Sequence, residues 1–138
     1  MTGLKDIALL TGRLLLALIF VHEGYTLMTN FSGGAEYMAK QGISLPLFVL
    51  VIVLQLGAGL LLVFGVLTRL GALALGLFCV ATATMFHTNF ANLNELLHFE
   101  KDLGIAGGMF TLAAVGAGAI SIDRVLEPWL MQRFSRQA

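Results

Sequence analysis

Residues 45–86 read LPLFVLVIVLQLGAGLLLVFGVLTRLGALALGLFCVATATMF, and this stretch decides the fold class. Its only charged side chain is Arg69, flanked by the turn-forming GVLT. A helix needs about 20 apolar residues to cross a hydrocarbon core about 30 Å thick. The stretch therefore reads as two such helices, over 45–67 and 70–90, joined by a very short turn. Period-2 alternation is absent and Leu and Ala dominate, which favours helices over a barrel.

Working outward, two further apolar runs flank this hairpin, over residues 7–28 and 103–122. The first is too long for a signal peptide and no small-x-small cleavage pattern follows it, so it reads as a span. The whole chain is 58% hydrophobic and 12% charged. Soluble domains sit near 45–50% and 25%. The fold class expected is all-α: an integral membrane, up-and-down four-helix bundle over residues 1–122. The segment GGAEYMAKQG, 33–42, between the first two spans reads as a short interfacial helix ended by Gly42. Residues 123–138 read as a cytoplasmic amphipathic tail, with Leu126, Trp129, Leu130 and Phe134 on one face and Arg124, Arg133 and Arg136 around it.

Charge sets the orientation. With four spans, Lys5, Arg13, Arg69, Arg124, Arg133 and Arg136 share one side, and only Lys40 and Lys101 lie on the other. The positive-inside rule then places both termini in the cytoplasm. Gly104 and Gly108 have the GxxxG spacing that lets helix backbones approach where lipid supplies no hydrophobic push. They are read as an internal packing face, with a homo-oligomer contact as the alternative. Cys79 is the only cysteine, so it forms no internal disulfide and no multi-thiolate site. Nothing resembles a nucleophile triad, a phosphate loop or a nucleic-acid surface.

Polar residues inside such spans are costly and need a reason. Arg13 lies about two turns inside the first span, free to snorkel or to pair with Asp123. His22 and Glu23 lie near the other end of that span, Gln55 ten residues into the second, and His87 at the end of the third. Lys101 leads into the fourth. In an up-down bundle all five reach one outward-facing cavity, so His22, Glu23, Gln55, His87 and Lys101 are the candidate ligand-binding residues. Glu23 and His87 are the candidates for catalysis, with Lys101 or a histidine as the partner expected for Glu23. Alternatively, the same residues form a hydrogen-bonded plug that holds the helices in register. His22, His87 and His98 are a minor metal alternative, weakened by the lack of any paired spacing such as HxxxH.

The order and spacing of several segments resemble the DoxX family of small four-span bacterial membrane proteins. They are GRLLLALIFVHEG from residue 12, YMAKQGISLP from 37, QLGAGLLLVFGVLTRLGAL from 55, a third span ending in His87, and FEKDLGIAGGMFTLAAVGAGAISIDR from 99. The resemblance spans about residues 12–123. It implies a bacterial inner-membrane, multi-pass protein associated with membrane redox complexes, since the family takes its name from a subunit linked to a terminal quinol oxidase and thiosulfate:quinone oxidoreductase. Arg13, Gly24, Arg69, His87 and Lys101 fall on positions that recur in the family. Three positions depart from it: Leu27 replaces a frequent Lys, Gln55 a frequent Glu, and Gly116-Ala117-Gly118 a GPG-like turn. The embedded acid usual in the second span is thus missing, and Glu23 supplies one in the first.

Three functions follow as expectations. The first is an accessory or quinone-binding component of a membrane redox system, in which His22 or His87 hydrogen-bonds a quinone oxygen and Glu23 handles the proton. The chain has no haem, flavin or iron–sulfur ligation pattern, so any oxidoreductase activity would need a quinone or a protein partner. The second is a non-catalytic subunit that assembles or anchors a partner complex. The third is a small transporter-like oligomer, for which an embedded acid is the usual marker.

Overall fold

The computed structural model describes residues 3–126 and 128–129. Among these residues the chain is all-helical, with five helices: α1 (Leu4–Thr29), α2 (Phe31–Lys40), α3 (Leu45–Phe64), α4 (Thr68–Phe86) and α5 (Leu93–Val115). Two of them, α3 and α4, are long and apolar enough to cross a membrane. Most of the tail expected over 123–138 lies outside the described residues; 123–126 are helical.

Each boundary has a local cause. Pro46 sits in the first turn of α3, where its missing N–H costs nothing, and Gly65 ends that helix in the left-handed region at φ 66°. Leu67 also adopts positive φ, 48°. A side-chain-bearing residue there is strained by about 1–2 kcal/mol, so something must hold it. The holder is Asp123, whose carboxylate accepts from the backbone N–H of Leu67 at 2.7 Å and of Thr68 at 2.8 Å. Two of the orphan donors that open α4 are satisfied in this way from 55 residues downstream. The interfacial helix expected over 33–42 forms as α2, from Phe31 to Lys40, and Gly42 follows it at φ 79°.

The last long helix differs from its sequence reading at both ends. Helix α5 starts at Leu93 rather than 103, because Asn92 caps it by accepting from the Asn94 N–H at 2.9 Å. It stops at Val115 rather than continuing to 122, because Gly116 and Gly118 turn the chain at φ 89° and 79°. Arg69 donates to the carbonyls of Ala113, Ala114 and Val115, which are among the last of α5 and have no helical partner.

Helix α1 packs on α3, α4 packs on α5, and α3 meets α4 across their short turn, while α1 and α5 touch little. Glycines set the close approaches. A Cβ at Gly24 would lie 2.9 Å from the backbone nitrogen of Leu56, and one at Gly76 would lie 2.7 Å from the Phe110 ring. The GxxxG pair does not form such a seam: Gly108 meets only the Leu16 side chain, and Gly104 has nothing within 4 Å. The core is apolar, from Ala17 and Phe20 through Leu62 and Leu75 to Met109 and Leu112. Around it, Leu15, Leu18, Leu50, Val53, Leu70 and Leu77 are more than half exposed. An apolar exterior of that extent suits lipid rather than water.

At the end of the bundle where α3 turns into α4, Arg13 is buried and crosses between chain segments. It donates to the carbonyls of Ala117 at 2.9 Å and Ile120 at 3.0 Å. It neither snorkels nor forms an ion pair with Asp123. Nearby, the Asp6 carboxylate accepts from the Ala119 N–H at 3.0 Å. That bond outweighs the opposing desolvation and, with lesser help from the Gly3 N–H and from the charges of Arg124 and Lys5, holds the Asp6 carboxyl below its ordinary value. Together Arg13, Arg69, Asp123 and Asp6 tie down the end of α5 and the non-helical residues 116–122 that follow it.

Candidate functional site

At the opposite end of the bundle a cavity of about 380 Å³ opens between α1, α3, α4 and α5, with the α2–α3 segment at its rim. Its walls are mostly apolar and aromatic, with Phe20 from α1, Phe78 and Phe86 from α4 and Tyr37 from α2. That size and character suit the ring-bearing end of a small molecule.

Polar groups enter from every long helix. Helix α1 contributes Glu23, α3 Gln55, α4 Thr82 and α5 both Lys101 and Asp102, while His87 caps the end of α4. Four of the five residues singled out from sequence, Glu23, Gln55, His87 and Lys101, thus share this wall. His22 is not on it. Its side chain is 71% exposed, and its ring approaches Glu23 at 4.0 Å from the bundle exterior. Adjacent positions on a helix point about 100° apart, so with Glu23 turned to the cavity His22 turns away.

Gln55 is the group that most needs explaining. It is only 6% exposed, on the middle of an apolar helix, and its side-chain amide has no hydrogen-bond partner among the described residues. Gln55 lines the cavity, so a ligand there can meet an amide that offers both a donor and an acceptor.

The charged groups form a chain along the rim. His87 Nδ1 lies 2.9 Å from a Glu95 oxygen, and its ring stacks on that of His98 at 5.1 Å. His98 Nδ1 lies 3.2 Å from the Lys101 ammonium, and that ammonium lies 4.0 Å from Asp102. Asp102 in turn accepts from the Thr82 hydroxyl at 3.3 Å. Glu23 therefore does not pair with Lys101, which is committed to α5 neighbours. Sequence reading placed Asp102 beside Lys101 at this end of the bundle but not among the site residues, and it missed Thr82 and Glu95, although residues 95, 98, 102 and 105 follow the spacing of one helical face. The signal was present but fell in a stretch taken for a loop.

Among the described residues no group of three or more His, Cys, Asp or Glu is placed to hold a metal ion. His22, His87 and His98 are not gathered: two stack against each other and the third lies on the outer surface of α1. Cys79 is buried in the core with its edge on the cavity wall.

The DoxX family model matches residues 8–88, more than half of the chain, from the start of α1 to the cavity residue His87. The chain belongs to the DoxX family. It is similar to two inner membrane proteins of Escherichia coli K12. YqjF is 41% identical over 126 residues, covering 91% of this chain and 97% of that protein. YphA is 33% identical over 127 residues, covering 87% and 91%. No solved structure matches the chain. Family, relatives and the two apolar helices together make this DoxX protein a multi-pass protein of the inner membrane.

Proposed function

We propose that α1, α3, α4 and α5 each span the inner membrane, with both termini in the cytoplasm and the cavity opening toward the outer leaflet. Apolar side chains exposed along all four helices support the spans. The four described basic residues at the Arg13 end, Lys5, Arg13, Arg69 and Arg124, against Lys40 and Lys101 at the cavity end, support the orientation.

In this reading the cavity binds the ring end of a membrane-borne amphiphile. We take a quinone as the ligand, which makes the protein an accessory component of a membrane redox system. The observation that carries the reading is Gln55, a mostly buried residue on an apolar helix that lines an aromatic-walled cavity and has no side-chain hydrogen bond among the described residues. A quinone carbonyl would satisfy its N–H donors, and His87 stands at the mouth within the same wall. The test is a titration of the protein in lipid nanodiscs with a short-chain quinone, after subtracting uptake by empty discs. Saturable binding that weakens about tenfold in Gln55→Leu, the loss of about 1.4 kcal/mol expected for one hydrogen bond, supports the reading. No saturable binding would overturn it. A ligand-free protein that instead purifies with a stoichiometric protein partner would make it an assembly subunit.

A further inference from the structure

We infer that the cavity also accepts lipophilic organic cations, with Glu23 as the charge that recruits them. This rests on the cavity being a ligand site but not on the ligand being a quinone. The cavity is lined by two acidic side chains, Glu23 and Asp102, one basic side chain, Lys101, and the imidazole of His87, which Glu95 holds at 2.9 Å. Asp102 is compensated within its own helix and across to α4, by the Lys101 ammonium at 4.0 Å and the Thr82 hydroxyl at 3.3 Å. Glu23 has no such compensation. Its nearest charged or chargeable neighbour is His22 at 4.0 Å, outside the cavity wall. The lining therefore carries one carboxylate more than its cations balance, and the excess sits on the α1 side.

The surroundings of that charge match one chemical class. Aromatic rings from Phe20, Phe78, Phe86 and Tyr37 line the same space, and cations are attracted to such faces. The unpartnered Gln55 amide adds a carbonyl oxygen, an acceptor that a cation also satisfies. An embedded carboxylate is costly unless paired. A bulky organic monocation removes that cost and fills a mostly apolar volume of about 380 Å³. An organic anion of the same shape would meet Glu23 as a like charge.

The experiment is equilibrium binding of tetraphenylphosphonium to the wild-type protein in lipid nanodiscs, with tetraphenylborate as the shape-matched anion. Uptake by empty discs is subtracted in both cases. The expected result is saturable, one-per-chain binding of the cation, with the anion at least about tenfold weaker, since like and unlike charges in a low-dielectric site differ by several kcal/mol. Glu23→Gln is expected to weaken the cation at least about tenfold and Glu23→Asp to retain most of it. Glu36→Gln, an exposed α2 acid paired with Lys40 at 2.8 Å, is expected to leave it unchanged. Equal binding of cation and anion, or no saturable cation binding, overturns the inference, and so does undiminished binding in a folded Glu23→Gln. The comparison of the two ions needs no variant, so it stands even if Glu23→Gln does not fold. Quinone binding on the same discs is read separately: cation binding without quinone binding sinks the quinone reading and leaves this one intact.

Discussion

The Asp123 carboxylate accepts from the Thr68 amide at 2.8 Å, and with that bond and its twin to Leu67 it fixes the turn between α3 and α4. The contact joins the start of one helix to a residue beyond the end of another. Asp123→Ala removes the cap and releases Leu67 from its left-handed conformation. Loss of such a cap costs about 0.5–2 kcal/mol. The expected outcome is a lower unfolding midpoint in detergent. Leu67→Gly, at a half-exposed position, is expected to recover part of that loss by removing the strain.

Arg13 is held to a stricter test. Its fork reaches two carbonyls, Ala117 and Ile120, from a buried position. Arg13→Met is expected to destabilise by about 2–3 kcal/mol, because it leaves the buried Ala117 carbonyl and the half-buried Ile120 carbonyl unpaired. Arg13→Lys is expected to rescue little, since an ammonium lacks the planar fork. Thermal unfolding of the two variants in the same detergent distinguishes a geometric role from a simple charge effect: matching wild-type and Lys midpoints would refute the geometric one.

Glycine substitutions separate packing contacts from lipid-facing positions. Gly24→Ala drives a methyl onto the Leu56 backbone at 2.9 Å, and backbone cannot swing away. The expected cost is about 1–3 kcal/mol. Gly104→Ala has open space around it and is expected to be neutral or slightly stabilising through helix propensity. A reversed ranking in unfolding midpoints would mean that α5 rather than α1 carries the tight interface.

The Asp6–Ala119 bond gives a pH signature. The folded carboxyl lies below its ordinary value of 3.8, so the folded state favours the ionised form. The resulting stability is fully present above about pH 4 and is lost as pH falls through the lowered value. Asp6→Asn is therefore expected to flatten the acid side of the stability profile below pH 4 and to leave its slope near neutrality unchanged. An unfolding-midpoint series in pH for the two proteins checks this.

Much of the fold was legible in the sequence because lipid-facing helices advertise themselves by composition. The turn at 64–68 and the short α2 were readable for the same reason, from small residues and Gly42 at the right places. The start of α5 was not, because NELLHFEKD carries the polar load of a loop while folding as three helical turns. That one misreading hid the ties of Glu95 to His87 and of Asp102 to Thr82. The partner of Arg13 was hidden for a different reason. Its acceptors are backbone carbonyls, which no side-chain pattern reveals. Gln55 and Glu23 were visible as polar residues in apolar runs, but only the three-dimensional arrangement shows that they share a cavity and that His22 does not.

The central claim is that the cavity beside Gln55 holds a membrane-borne ligand, and native mass spectrometry of protein extracted from its own membrane tests it most directly. The account predicts a bound aromatic amphiphile of defined mass, near one per chain, that disappears in Gln55→Leu while the protein stays folded. The same ligand persisting undiminished in Gln55→Leu, or a wild-type protein that carries none and takes up none of the added probes, would contradict it.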